Sequence, residues 1–339
     1  MIITRTPYRL SLFGGGSDYP EWYLKHGGEV LAGAIDKYCY LTLRWLPPFF
    51  AHRHRLVYSV VESVNEFREI QHPAVRAALE SYSVQRGIEL HHDGDLPARS
   101  GIGSSAAFAV GLTHALRVLQ GLECDPWGLA REAIHLEQDL LGETTGSQDQ
   151  VICALGGFKH IRFHQSGDIT AEGSERMAAN ITRLQTWLVL LYSGEQRSSS
   201  SVSQTLLPSF HSQGALFDRT VEMAGLARGL LEAGSESDFA EMGVLMDEAW
   251  QMKKVLNPSA VTTHINDIYV RAMTVGAIGG KVAGAGGGGF MLFFVPPEKR
   301  DVFVRSMASL ALHVPFNFSN TGSEIIFRDL SQHVAAEYV

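Results

Sequence analysis

Cysteine is scarce. Cys39, Cys124 and Cys153 are the only three in 339 residues, widely spaced and without a Cys-x-x-Cys pair. So sparse a set excludes a disulfide framework or a structural zinc site as the organising feature, and it fits a reducing compartment. Charge is low too. Asp, Glu, Lys and Arg make up 19% of the chain, and 36 acidic residues outnumber 28 basic ones for a net charge of −8. Without a basic surplus, nothing points to a nucleic-acid surface. Long apolar runs are missing: the longest, Trp187 to Tyr192 and Phe290 to Val295, have the length of strands. The first residues, Met1 to Arg5, lack the charged-then-apolar profile of a signal peptide. The expectation is a cytoplasmic globular protein with no nucleic-acid or membrane partner.

Hydrophobic residues reach 45%, ample for sizeable cores, and the length suggests two domains. The excess lies in glycine, 34 residues, which is about a tenth of the chain against a usual value of about 7%. There is no collagen period, so the positions of the glycines carry the information.

Strand-like stretches open the chain at Ile2 to Thr6, Glu29 to Ile35, Tyr38 to Trp45, Arg55 to Val61 and Ile88 to His91. A helix is expected from Ser104 to Leu119, ending before Gly121. Another has Asp125 as N-cap, Pro126 at its first position and Gly142 just past its end. The loop Gly142 to Gln148 leads into the apolar Val151-Ile152. In the second half, Trp187 to Tyr192 reads as a buried strand. Helical patterns cover Leu216 to Glu232, Asp238 to Leu256 and Thr262 to Val275, and strands follow at Lys281 to Ala283, Phe290 to Val295 and Ser323 to Arg328. Strands grouped with helices, without strict alternation, indicate an α+β protein. The boundary falls within 165–185, which divides the chain into residues 1–175 and 176–339.

Three glycine clusters stand out: Gly14 to Gly16, Gly101 with Gly103, and Gly284 with Gly286 to Gly289. The last two match the dinucleotide-binding fingerprint as strings, but that motif works only between a strand and a helix. A strand follows Gly289 and a turn precedes Gly101, so a dinucleotide fold is disfavoured. A Walker loop is absent, because Gly279-Gly280-Lys281 is followed by Val282. The middle cluster, Gly101-Ile102-Gly103-Ser104-Ser105-Ala106, runs directly into a helix. Glycines allow a polyphosphate to approach the backbone, and the helix start offers unpaired N–H groups. The same residues also read as a capped helix after a glycine turn.

In the following helix, Glu137 shares an i, i+4 row with Leu129, Ala133 and Leu141, and Ala130, Ile134 and Leu140 widen that apolar face. A carboxylate there is partly buried. It needs either an Arg or peptide partner or a cation, and Mg²⁺ takes one or two carboxylates plus substrate phosphates. Asp149, in a polar loop before Val151-Ile152, is placed to take a proton from a hydroxyl, and equally to make an Asx turn.

Together these segments resemble one family. Leu96-Pro97-Ala98-Arg99-Ser100-Gly101-Ile102-Gly103-Ser104-Ser105-Ala106-Ala107 resembles the P-x-x-x-G-L-G-S-S-A-A signature of the GHMP small-molecule kinases. Thr6 to Gly14 resembles their first motif, and Lys281 to Phe290 their third. The resemblance implies a two-lobed fold with an N-terminal lobe like ribosomal protein S5 domain 2 and a ferredoxin-like C-terminal lobe. It implies that Gly101, Ile102, Gly103, Ser104, Ser105 and Ala106 bind ATP, that Ser105 and Glu137 hold Mg²⁺, and that Asp149 and Arg9 are catalytic. Gly284, Gly286 and Gly287 would shape the substrate side of the cleft.

Galactokinase-like members carry Gly-Glu-His before the substrate aspartate, whereas this chain has Gly14-Gly15-Gly16-Ser17-Asp18. That run, with Gln71 to Arg76 and Gly146 to Gln150, is similar to the branch that includes heptose 7-phosphate and fucose kinases. The implied reaction is phosphorylation of the C1 hydroxyl of D-glycero-D-manno-heptose 7-phosphate, on the way to a nucleotide-activated heptose. Gly15, Gly16, Ser17 and Asp18 would meet the sugar and Arg197 its phosphate, although Arg197 also reads as part of a solvated polar loop. The alternatives are an anomeric kinase for a free sugar such as L-fucose, or a catalytically silent sugar- or ATP-binding regulator. The sequence is compatible with a homodimer.

Overall fold

The computed structural model describes residues 1–195 and 207–329. The first sheet has eight strands. Its principal members are β1 (Ile2–Phe13), β2 (Gly28–Trp45), β3 (His54–Val57), β4 (Val61–Val64) and β5 (Ile88–Gly94). β6 (Phe158–Phe163) pairs with the first part of β2, and β7 (Ile169–Glu172) pairs with β6. A four-stranded sheet follows, in the order β11 (Leu312–His313), β8 (Leu188–Tyr192), β10 (Phe290–Phe294), β9 (Gly279–Val282). The expected two-lobed α+β architecture is present.

The lobes are not sequential at their far end. The last strand, β12 (Glu324–Arg328), returns to the first sheet and pairs antiparallel with Ile2 to Arg5 of β1. Residues 1–175 therefore hold seven of the eight strands of the first sheet, and the chain's last described strand supplies the other.

β1 and β2 are longer than the sequence pattern suggests, because β1 continues through Pro7 to Phe13 and β2 runs unbroken across Asp36-Lys37. Continuity comes from their long antiparallel ladder, whose register slips twice, between Pro7 and Arg9 and between Ser11 and Phe13. Such slips bend a strand and re-aim its side chains, and they gather beside functional sites.

Helix α1 (Pro20–His26) and helix α2 (Pro73–Ser81) precede helix α3 (Ser104–Leu119), which packs across β1 and β2. Then come α4 (Pro126–Ile134), α5 (Gln148–Leu155) and α6 (Glu175–Trp187). The second lobe adds α7 (Leu207–Ser212), α8 (Gly214–Ala233), α9 (Glu236–Leu256), α10 (Thr263–Thr274) and α11 (Arg300–Met307). The apolar run of β10 is explained by burial on both faces. Phe290, Leu292 and Phe294 join the main core, whereas Met291 and Phe293 join a second core with Val189, Leu191, Trp250 and Ile268. No helix among the described residues is long and apolar enough to cross a membrane.

Candidate active site

A cleft of about 210 Å³ opens between the lobes. Its floor is built by two glycine clusters that lie far apart in sequence. Gly101 has φ +86°, and a Cβ placed there would sit 2.3 Å from the carbonyl oxygen of Ala283; a Cβ on Gly284, with φ +62°, would sit 2.7 Å from the Cα of Gly101. Both positions need glycine, for the left-handed backbone and for the contact itself. The Phe290 N–H donates to the Ser100 carbonyl at 3.1 Å and extends this seam between the lobes.

Beyond the seam, Gly103 caps α3 in the left-handed conformation, and Ser104, Ser105 and Ala106 turn the first helical turn toward the cleft. Amides in that turn lack intrahelical acceptors, so the helix start is a ready anion site. The Ser104 hydroxyl is used locally, accepting the Arg99 N–H at 3.1 Å. Ile102 is buried beneath the loop, and its carbonyl accepts the Arg9 N–H at 3.0 Å.

Arg9 and Asp149 meet over this loop. The Arg9 guanidinium donates from Nε to Asp149 Oδ1 at 2.6 Å and from Nη2 to Oδ2 at 2.5 Å, while Nη1 donates to the Gly101 carbonyl at 2.7 Å. Their side chains are 5% and 19% exposed. Burial acts to lower the Arg9 pKa, but the Asp149 carboxylate outweighs it and holds the guanidinium above its ordinary value. Asp149 does not stand in a loop: it occupies the first turn of α5, and the two-pronged pair fixes its carboxylate at the cleft wall.

Asp18 is buried nearby, accepting the Gly16 N–H at 2.9 Å and the Gln148 N–H at 3.3 Å. Burial, and then the charge of Asp149, raise its pKa. Gly15 and Gly16 line the cleft beside it. Ser17 turns the other way. Its hydroxyl donates to the Gly14 carbonyl at 2.8 Å and accepts the Glu29 N–H at 3.2 Å, so it holds the turn rather than facing the cleft.

Glu137 departs from the expected regular helix. After α4 the backbone widens into a π-helical segment, His135–Leu140. The wider turn shifts the face: Leu136 and Glu137 point inward, with Glu137 2% exposed, whereas Leu140 is 42% exposed and leaves the apolar face assigned to it. Glu137 accepts the Ser105 hydroxyl at 2.5 Å and the Gln150 amide at 2.6 Å. Burial pushes its pKa up to about 7, against the opposing hydrogen bonds from Ser105 and Gln150. No cluster of three or more His, Cys, Asp or Glu side chains suited to a metal occurs among the described residues. A cation at Ser105 and Glu137 would take its remaining oxygens from a ligand.

The shift of Glu137 sets a pH dependence. Between the ordinary carboxyl value and about 7, the unfolded chain is ionised while the folded one keeps its proton. Stability of the ligand-free protein therefore falls through that window, by roughly 3 kcal/mol, and is level above it. Glu137→Gln should remove this fall and melt higher than the parent at pH 8. The check is the difference in melting temperature between parent and variant from pH 5 to 8; a difference independent of pH would contradict it.

Of the remaining expected residues, Gly284 lines the cleft. Gly286 and Gly287 pack behind it on Ala260: a Cβ on Gly286 would sit 2.4 Å from the Ala260 Cβ, and the Gly287 N–H donates to the Ala260 carbonyl at 2.8 Å. Arg197 lies outside the described residues. The cleft also contains Ser11, Gln148, Lys253 and Lys281, which pattern reasoning did not select. Gln148 and Lys281 stood inside recognised motifs and could have been noticed there; Lys253 sits in an ordinary helical pattern and carried no signal.

Two family descriptions match the chain: the GHMP kinases N terminal domain over residues 61–157 and the GHMP kinases C terminal over residues 226–311. The chain belongs to the GHMP kinases. It is an ATP-dependent phosphotransferase of the sugar-kinase kind, and the glycine loop before α3 lies within the matched N-terminal range. It is 27% identical to D-glycero-alpha-D-manno-heptose 7-phosphate kinase of Campylobacter jejuni, an alignment that covers 95% of this chain and 97% of that one. It is 26% identical to mevalonate kinase of Pyrococcus abyssi, covering 89% and 91%. Its fold is similar to the crystal structure of a D-glycero-D-manno-heptose 1-phosphate kinase from Bacteroides thetaiotaomicron, with a TM-score of 0.79 at 22% identity over 97% of this chain and 100% of that one.

Proposed function

We propose that this GHMP kinase transfers the γ-phosphoryl group of ATP to the anomeric C1 hydroxyl of D-glycero-D-manno-heptose 7-phosphate, giving the 1,7-bisphosphate and ADP. The observation that carries the reading is the Arg9–Asp149 pair, held at 2.5–2.6 Å against the mouth of the glycine loop. The sugar oxygen bonds to the γ-phosphorus as the bond to the β,γ-bridging oxygen breaks, and the hydroxyl proton passes to the Asp149 carboxylate. Arg9 offsets the charge that develops there; phosphoryl transfer depends mainly on such positioning and neutralisation.

The cleft chemistry suits a polyol. Ser11 Oγ and Gln148 Oε1 are buried polar atoms without a hydrogen-bond partner among the described residues, and the two side chains flank Gly15, whose missing Cβ would sit 3.3 Å from Ser11 Oγ and 3.6 Å from Gln148 Nε2. Sugar hydroxyls would satisfy them. Asp18 adds a carboxylate for a further pair of hydroxyls. The similarity to the heptose 7-phosphate kinase over nearly the whole of both chains supports the heptose in particular.

The residues also fit Mg²⁺. Ser105 Oγ and Glu137 Oε1 are 2.5 Å apart at the helix start, and one carboxylate with one hydroxyl is a set that Mg²⁺ completes with phosphate oxygens. When bound, the ion would neutralise phosphate charge, and Glu137 would be ionised beside it. A cytoplasmic location, with ATP at hand, accords with this activity. Retention of Arg9, Asp149, Ser105 and Glu137 in one constellation argues against a silent regulator.

The expected outcome of an ADP-release assay on a panel of sugars and sugar phosphates is turnover with heptose 7-phosphate, far above that with L-fucose or galactose. Turnover with free sugars alone would replace the heptose phosphate by an unphosphorylated acceptor.

A further inference from the structure

Two further cations line the cleft beside the Arg9–Asp149 pair. Lys253, in the last turn of α9, and Lys281, on β9, both reach the cleft from the second lobe. The Lys253 ammonium donates to the carbonyls of Gly284 and, at 3.4 Å, Val282. The Lys281 ammonium has neither a hydrogen bond nor an ion pair among the described residues, and the charges acting on it are those of Lys253 and Arg9. Arg9 is already taken up by Asp149 and the Gly101 carbonyl. Two ammonium groups are thus gathered on one wall without a carboxylate of their own.

Such an arrangement is unfavourable by itself. Burial, and then Arg9, lower the Lys253 pKa to about 8, and burial, Lys253 and Arg9 lower that of Lys281 well below its ordinary value. Like charges held together without a counter-ion are stabilised when an anion arrives. The location narrows the anion. Lys253 holds the Gly284 carbonyl, and Gly284 abuts Gly101 of the glycine loop, so the pair faces the reacting end of the cleft rather than its outer rim.

We infer that Lys253 and Lys281 form a phosphoryl-binding site contributed by the C-terminal lobe, taking either the terminal phosphoryl group of ATP or the phosphate already carried by the acceptor. The second source rests on the heptose phosphate reading; the first does not. Lys281 reports on the site most cleanly because no group among the described residues is bonded to its ammonium.

The test is calorimetric titration of the full chain and of its Lys281→Met, Lys253→Met and Lys281→Arg variants with four probes: ADP, the imido analogue of ATP, heptose 7-phosphate and inorganic phosphate. Lys281→Met should weaken an anion held here at least about tenfold, the loss of a charge-assisted hydrogen bond. It should also raise the melting temperature of the ligand-free protein, which a merely damaged fold would not do. Lys281→Arg should restore most of the affinity. Loss with the imido analogue but not with ADP assigns the site to the γ-phosphoryl group; loss with heptose 7-phosphate but with neither nucleotide assigns it to the acceptor. Inorganic phosphate probes the lysines without an acceptor, so failure of the heptose to bind the parent chain would end that substrate reading and leave the lysine site still tested. Affinities for the imido analogue, heptose 7-phosphate and phosphate all within twofold of the parent in both methionine variants would overturn the proposal.

Discussion

Asp149→Ala is expected to lower turnover by about 10²- to 10⁴-fold, the usual contribution of a positioned proton acceptor. Asp149 opens α5 with its carboxylate turned to the cleft, and both of its oxygens are fixed by Arg9 at 2.6 and 2.5 Å. An acceptor oxygen can therefore approach one defined carboxylate face. Asp149→Asn separates two roles, since the amide keeps much of the shape and can still accept from Arg9 but does not take a proton. Loss of kcat in Asn as deep as in Ala, with the KM for ATP little changed, marks Asp149 as the proton acceptor. Near-parental kcat in Asn would make it a positioning residue for Arg9, and near-parental kcat in a folded Ala variant would remove it from the reaction.

Arg9→Met is expected to damage both stability and rate. The guanidinium is the sole partner of the Asp149 side chain in the described hydrogen bonds, and it also ties β1 to the glycine loop through the Gly101 carbonyl. Removing one member of a largely buried pair leaves the other uncompensated and costs about 3 kcal/mol at pH 8. The variant Arg9→Met with Asp149→Asn should be more stable at pH 8 than Arg9→Met alone, and its turnover should not be the product of the two separate losses. Simple additivity in both stability and rate would show that the two side chains act independently.

Much of this site was legible because its chemistry is written in backbone requirements. Helix α3 begins and ends at the expected residues, Ser104 and Leu119, since glycines punctuate both ends. The Asp125 N-cap and Pro126 mark the start of α4 in the same way. Burial of Glu137 followed from its row of apolar neighbours, but the π-helical segment that turns it inward did not, because periodicity assumes a regular helix. The fusion of the two glycine clusters into one seam was also out of reach. It depends on Gly101 meeting Gly284 across the lobes, and no local pattern encodes that meeting. The same holds for β12, whose residues read as a strand while its partner, β1, lies at the opposite end of the chain. Lys253 was invisible for a related reason: a lysine in the last turn of a helix is ordinary, and only the tertiary fold brings it to the Gly284 carbonyl. Ser17 is the converse case, a residue that adjoins Asp18 in sequence but whose hydroxyl bonds within the turn.

Anomeric phosphoryl transfer is tested most directly by phosphorus NMR of the purified chain with ATP, Mg²⁺ and D-glycero-D-manno-heptose 7-phosphate. The γ-phosphorus signal of ATP should be replaced by a new sugar phosphate resonance coupled to the anomeric proton, while the 7-phosphate signal persists and ADP accumulates in equal amount. Consumption of ATP with no phosphorus coupled to the anomeric proton, or no transfer to any sugar, would contradict it.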